Sequence, residues 1–163
     1  MNDNSHQRSG RIMFIIAWVL IIGLLFVFFQ FQQQASVTRS EEIIHGKLVL
    51  TADRQGHYLV KGRINDVPVD LLVDTGATMV AISKPLADKM NLSGRYPITM
   101  NTAGGSVKGY LTRIDSLTFG NFQFSNIKAV IMQQSSDELV LLGMNVLSEF
   151  KIHQENNKLI LER

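Results

Sequence analysis

The run IMFIIAWVLIIGLLFVFF, Ile12 to Phe29, constrains this chain more than any other feature. It holds no charged residue and a single glycine, so it has no polar face to turn toward water. As a helix rising about 1.5 Å per residue it would extend roughly 27 Å, close to the hydrocarbon thickness of a bilayer. The apolar core of a secretory leader is shorter, about 7–15 residues, and leads into a small-residue cleavage site. Here QFQQQAS follows, which makes a poor site. The run therefore predicts a single retained transmembrane helix over 12–29. Arg8 and Arg11 precede it, and Gln32, Gln33 and Gln34 follow. Positive charge on the N-terminal flank predicts a cytoplasmic segment 1–11, with everything past residue 30 outside.

Residues 30–46 are polar and mixed, and read as a tether. From Lys47 to Arg163 the texture changes. Short stretches of Val, Ile, Leu, Thr and Tyr alternate with Gly, Asn and Asp, which predicts one all-β domain over 47–163. The candidate strands are KLVLTA, HYLVKGRI, VPVDLLVD, MVAIS, YPITMN, SVKGYLTRIDSLTF, NIKAVIM, LVLLG, FKIHQ and KLILE. IND at 64–66 and ENN at 155–157 predict hairpin turns, because Asn and Asp tolerate the backbone such turns need. Two short helices fit the remainder. One begins after Ser83, an N-cap candidate, with Pro85 in its first turn; the other covers Met144 to Phe150.

Charge and composition exclude several functions. Sixteen basic and 14 acidic side chains nearly balance and form no block, so no nucleic-acid surface is expected. There is no cysteine, hence no disulfide, thiol nucleophile or thiolate metal site. The histidines, His6, His45, His57 and His153, are scattered without metal-ligand spacing, so neither a metal nor another cofactor is expected.

Within the β-region, LLVDTGATMVAIS places Asp74 in an otherwise apolar segment. A carboxylate there is costly unless it is hydrogen-bonded or paired. Amide hydrolysis needs a base to activate water and an acid to assist the leaving group. Two carboxylates held close supply both, since like charges at short range share one proton. Such a group needs a tight turn, and Thr75 and Gly76 can provide one: the threonine as hydrogen-bonding side chain, the glycine as a residue that lets the backbone fold back.

LLVDTGAT resembles the active-site strand and loop of the retropepsin-like aspartic proteases, with Asp74 as the catalytic carboxylate and Thr75, Gly76, Ala77 and Thr78 as its loop. About 70 residues on, LVLLGMNVLSEF resembles the family's second element, an apolar pair and glycine leading into a short helix. The resemblance implies that Leu141, Leu142 and Gly143 pack beneath the catalytic loop. Between the two, YPITMNTAGGSVKGYL resembles the β-hairpin flap, with Thr102, Ala103, Gly104 and Gly105 at its tip.

The fold implied is a retropepsin-like acid protease β-barrel with one or two short helices, preceded by the transmembrane helix. One Asp-Thr-Gly triplet makes half a dyad, so the resemblance implies a homodimer through the protease domain, with Asp74 from each copy meeting at a two-fold axis. The expected partners are a polypeptide substrate, a second copy and the membrane, and the expected location is a bacterial inner membrane with the domain in the periplasm. Ala77 stands where pepsin-like relatives often carry a serine hydroxyl that favours the charged carboxylate. Its absence predicts activity reaching toward mildly acidic or neutral pH. Two other readings stay open: the same fold as a non-catalytic dimerisation or peptide-binding module, and an unrelated membrane-tethered β-domain.

Overall fold

Eleven strands among the described residues carry the β-region, and their pairing follows from where the chain can turn back. A computed structural model of the chain describes residues 14, 16–27, 41–44, 46–102, 105–135 and 138–163. The chain divides into two units, Met1–Val37 and Thr38–Arg163. In the first, Phe14 and residues 16–27 are helical (α1), with their large apolar side chains exposed all round. Among the described residues no helix is long and apolar enough to cross a membrane. The expected span 12–29 includes positions 12, 13, 15, 28 and 29, which lie outside the described residues.

The second unit holds two sheets. The smaller has the order β1-β2-β11-β10, from β1 (Glu41–Ile44), β2 (Lys47–Thr51), β11 (Lys158–Glu162) and β10 (Lys151–Glu155). The larger has the order β3-β4-β9-β5-β8-β7-β6. Its strands are β3 (Leu59–Ile64), β4 (Val67–Val73), β5 (Val80–Ser83), β6 (Tyr96–Thr102), β7 (Gly105–Phe119), β8 (Phe122–Met132) and β9 (Leu139–Leu142). A further pairing of β3 with the end of β7, Gly62 to Ile64 against Phe119 to Leu117, curls the larger sheet back on itself as a barrel.

The turns explain the registers. Asn65 and Asp66 both have positive φ and join Ile64 to Val67 across a two-residue hairpin. Asn156 and Asn157 do the same between Glu155 and Lys158. This is the backbone that Asn and Asp accept and β-branched residues resist. Between these turns the strands alternate. Leu48 and Leu50 from β2, Ile114 and Leu117 from β7, and Leu159 and Leu161 from β11 are buried in one core. Phe119, Phe122, Phe124 and Phe150 close one part of it, the Phe119 and Phe124 rings stacked at 5.6 Å and Phe122 edge-on to Phe150 at 4.7 Å.

The structure differs from the sequence expectation in four places. The tether expected over 30–46 includes β1, which pairs antiparallel with β2 from Glu41↔Leu50 to Ile44↔Lys47. Two glutamates disguise it, although Ile43 and Ile44 supply β-branched side chains. Strand β8 begins at Phe122, four residues before Asn126, where the expected strand NIKAVIM starts. Ser83 occupies the N-cap position of α2 (Lys84–Lys89), with proline in the first turn, but its side chain caps nothing. The hydroxyl is buried without a partner among the described residues. The second helix is shorter than expected, α3 (Met144–Leu147).

Candidate active site

Asp74 follows the last residue of β4, where the chain leaves the sheet. Strand β9 lies between β4 and β5, parallel to β4 from Asp70↔Leu139 to Val73↔Leu142 and antiparallel to β5 at Ala81↔Leu141. The loop 74–79 must therefore arch over the end of β9. Its fixings are short. The Asp74 N–H donates to the Leu142 carbonyl (3.1 Å), and the Ala77 N–H donates to the Asp74 carbonyl (3.2 Å). The Gly76 N–H donates to Asp74 Oδ1 at 2.8 Å, so the turn folds back onto its own carboxylate as the sequence predicts.

Gly76 has room for that approach because it lacks a side chain: a Cβ there would lie 3.1 Å from Asp74 Oδ1. Thr75 behaves differently from expectation. It is exposed, and its hydroxyl makes no hydrogen bond within the described residues, so the backbone alone shapes the turn in a single chain. Thr78 is exposed as well, and Ala77 is half-buried. Asp74 itself is half-buried. Among the described residues its Oδ2 accepts no hydrogen bond, which leaves one carboxylate oxygen open toward whatever covers the loop.

The second element lies where the resemblance implied. Leu142 and Gly143 are buried, and Leu141 is partly so. A Cβ on Gly143 would lie 2.5 Å from the Met79 carbonyl oxygen and 2.8 Å from that of Ala77, so only glycine lets the two backbones touch. Immediately after it, the N–H groups of Met144 and Asn145 donate to the carbonyls of Ala77 (2.7 Å) and Thr78 (3.0 Å). These are first-turn N–H groups of α3, without partners inside their own helix. The loop supplies those partners and is held by them.

Asn145 adds a clamp that the sequence reading missed. Its Oδ1 accepts the Val80 N–H (3.0 Å), and its Nδ2 donates to the Lys128 carbonyl (2.8 Å). One side chain thus ties the start of β5 to β8 while its own N–H ties the loop. No local pattern marks Asn145, since both partners are remote in sequence.

The expected flap is a hairpin of β6 and β7, paired from Tyr96↔Leu111 to Thr102↔Gly105. Thr102 Oγ1 donates to the Gly105 carbonyl (2.8 Å), and Gly105 has positive φ. Ala103 and Gly104 lie outside the described residues. Nearer the core, the N–H groups of Asp115 and Ser116 both donate to Asn65 Oδ1, joining β7 to the β3–β4 turn.

A second loop stands at the same end of the barrel as Asp74. The Val73 N–H donates to the Tyr58 carbonyl (3.0 Å), extending the β3–β4 ladder beyond Leu59↔Leu72. Preceding Tyr58, Asp53 Oδ1 accepts the N–H groups of Gln55 and His57, each at 2.8 Å. Its Oδ2 lies 3.5 Å from His57 Nδ1. Burial works to raise the pKa of Asp53, but the hydrogen bonds from His57 and Gln55 and the adjacent imidazole outweigh it, and the net shift is downward.

Comparison with known proteins agrees with this geometry. The family model described as "gag-polyprotein putative aspartyl protease" matches residues 60–149, more than half of the chain. A crystal structure of a retropepsin-like aspartic protease from Rickettsia conorii superposes with a TM-score of 0.63 at 31% identity, covering 72% of this chain and 100% of that one. An uncharacterized protein of Rickettsia prowazekii is 31% identical over 109 residues, 65% of this chain and 46% of its own length. A protein encoded in the cobV 5′ region of a Sinorhizobium species is 26% identical over 111 residues, 66% of this chain and 48% of its own length. The chain spans about half the length of the curated relatives it matches. The turn at Asp74, its glycine buttress and the matched family model together place the chain in the gag-polyprotein aspartyl protease family, a retropepsin-like family.

Proposed function

We propose that this chain is a membrane-anchored aspartic endopeptidase that hydrolyses peptide bonds in extended polypeptide segments. The observation that carries the reading is the state of Asp74. It is a half-buried carboxylate in a loop fixed from below by Leu142 to Asn145, with one oxygen bonded to Gly76 and the other open. A single chain presents one such group, and the reaction needs an acid and a base. A second copy related by a two-fold axis supplies the other half, each Asp74 facing its own counterpart. The pair shares one proton between its two carboxylates. The ionised member takes a proton from water as that water attacks the scissile carbonyl. The protonated member donates to the carbonyl oxygen, and the tetrahedral intermediate then collapses with proton transfer to the departing amine.

The substrate binds in this reading as an extended strand, by main-chain hydrogen bonds beneath the β6–β7 hairpin. Thr102 and Gly105 flank the closing tip. The apolar run 12–29 anchors the chain, and the arginines before it put the domain on the outer side of a bacterial inner membrane. Confinement to a membrane raises the effective concentration of protomers and favours the dimer.

The test compares the full-length chain in neutral detergent with its Asp74→Asn form against a diverse peptide library. Cleavage by the parent and a loss of at least about 10³-fold in the variant is expected, since removal of one carboxylate removes both roles from its half of the dyad. Cleavage that survives the substitution overturns the reading. Dimeric peptide binding without cleavage in either form transfers the fold to the binding-module reading.

A further inference from the structure

The turn at residues 53–57 has a built interior and an exposed, cationic outside. Asp53 holds it together: two N–H groups at 2.8 Å and the His57 imidazole at 3.5 Å consume its carboxylate, and its side chain is only 13% exposed. The Asp53 N–H donates to the His57 carbonyl (2.8 Å), and the Gly56 N–H donates to the Asp53 carbonyl (3.1 Å). The Ala52 N–H donates to the Asn157 carbonyl (2.8 Å), which pins the turn to the terminal hairpin. A segment of five residues fixed this often is preorganised and does not need ordering when something binds.

Its position follows from register. Leu59 opposes Leu72, and the hydrogen bond from Val73 to Tyr58 continues the ladder. Continued by one step, that register would bring His57 opposite Asp74, just where the chain leaves the sheet. The outside of the turn carries Arg54 and His57, both exposed. The charged groups near it include Asp53 within the turn, Asp74 by register, Lys158, which pairs with Thr51 at the end of β2, and Glu155, which pairs with Lys158 across the terminal hairpin. Within the turn the one acid, Asp53, is turned inward and already paired, so the turn's own outer face offers the Arg54 guanidinium and the His57 imidazole.

We propose that this turn is a wall of the peptide cleft that selects an acidic side chain close to the scissile bond, with Asp53 as its positioning residue. The proposal rests on the endopeptidase reading for the meaning of the cleft. Arg54 supplies a permanent positive charge and His57 a hydrogen-bond donor. Attraction between exposed charges is modest and screened by salt, so the preference is a few-fold and fades at high ionic strength.

The experiment uses the full-length chain carrying Asp74→Asn, in neutral detergent, so that binding is read without turnover. Fluorescent peptides share one extended apolar segment and differ by Glu or Gln flanking it, and their affinities are measured by anisotropy. The Glu peptide is expected to bind about five-fold tighter at low salt. Adding Arg54→Gln and His57→Gln should bring the ratio to about one. Asp53→Ala should lower the ratio, and Asp53→Asn, which keeps an acceptor oxygen for the two N–H groups, should restore most of it. Equal binding of the two peptides, no binding of either, or a preference that survives the Arg54→Gln and His57→Gln changes overturns the proposal. Cleavage by the parent is a separate reading: if it fails while the Glu preference holds, the endopeptidase reading falls and the charged wall remains.

Discussion

Asp53 and Asp74 stand at the two chain ends of the β3–β4 hairpin, and each accepts the N–H two residues ahead of it at 2.8 Å. From that shared start they diverge. Asp53 also takes the His57 N–H and faces the His57 imidazole, so its charge is answered within its own turn. Asp74 takes no second bond among the described residues, although the backbone around it is fixed more firmly, by Leu142, Met144 and Asn145. A satisfied carboxylate stabilises a turn. An under-satisfied carboxylate on a rigid support leaves a charge available for chemistry, and the support comes from backbone so that the side chain stays free.

The difference can be broken from below. Gly143→Ala should destabilise the domain by about 3 kcal/mol, because its Cβ would meet the backbone of Met79 and Ala77 and neither can swing aside. Thermal unfolding checks this. A variant as stable as the parent would mean that the loop is not braced by this contact. At Gly56, the glycine of the other turn, a Cβ would meet nothing within 4 Å, so no such backbone contact is at stake there.

Exchanging the carboxylates sharpens the comparison. Asp53→Ala should cost about 1 kcal/mol, from two N–H bonds to a carboxylate and the His57 imidazole contact. Asp74→Ala should stay within about 0.5 kcal/mol, because only the Gly76 N–H loses a partner and it lies exposed. The pH dependence separates them further. The folded-state pKa of Asp53 lies below its ordinary value of 3.8, so its contribution is present above that value and disappears as pH falls through the lowered one. Asp53→Asn should therefore lose less stability than the parent on acidification below about pH 4. Urea unfolding at pH 6 and pH 3 measures both. Equal acid sensitivity in parent and variant would remove Asp53 from the account.

Much of this molecule was legible in the sequence, and what was not follows a pattern. The two hairpins at Asn65-Asp66 and Asn156-Asn157 were readable because their turn chemistry is local. The Asp74 turn and Gly143 were readable because their residue types admit few alternatives. The closure of β3 on β7 was not, since it depends on register between strands more than 50 residues apart. Nor was Asn145, whose amide reaches Val80 and Lys128. The Asp53 turn could have been found: an aspartate followed by a glycine three residues later, just before a strand, is a local signal. Its neighbour β1 was hidden by Glu41 and Glu42, although Glu41 Oε2 accepts the Lys61 N–H at 3.1 Å and so helps to seat the strand.

The smallest expected effect concerns Ala77, whose N–H closes the Asp74 turn by donating to the Asp74 carbonyl while its side chain offers no donor. Ala77→Ser adds a hydroxyl three residues from the carboxylate that this turn leaves open. If the hydroxyl reaches that carboxylate, it favours the ionised form, and the acid limb of the pH–rate profile should move to lower pH. Backbone fixings are unchanged, so stability should hold within about 0.5 kcal/mol. The measurement is kcat/KM against pH for the two full-length proteins on one peptide. An unmoved profile would remove position 77 from the control of the Asp74 carboxylate. A parent profile confined to strongly acidic pH would remove the role given to alanine here.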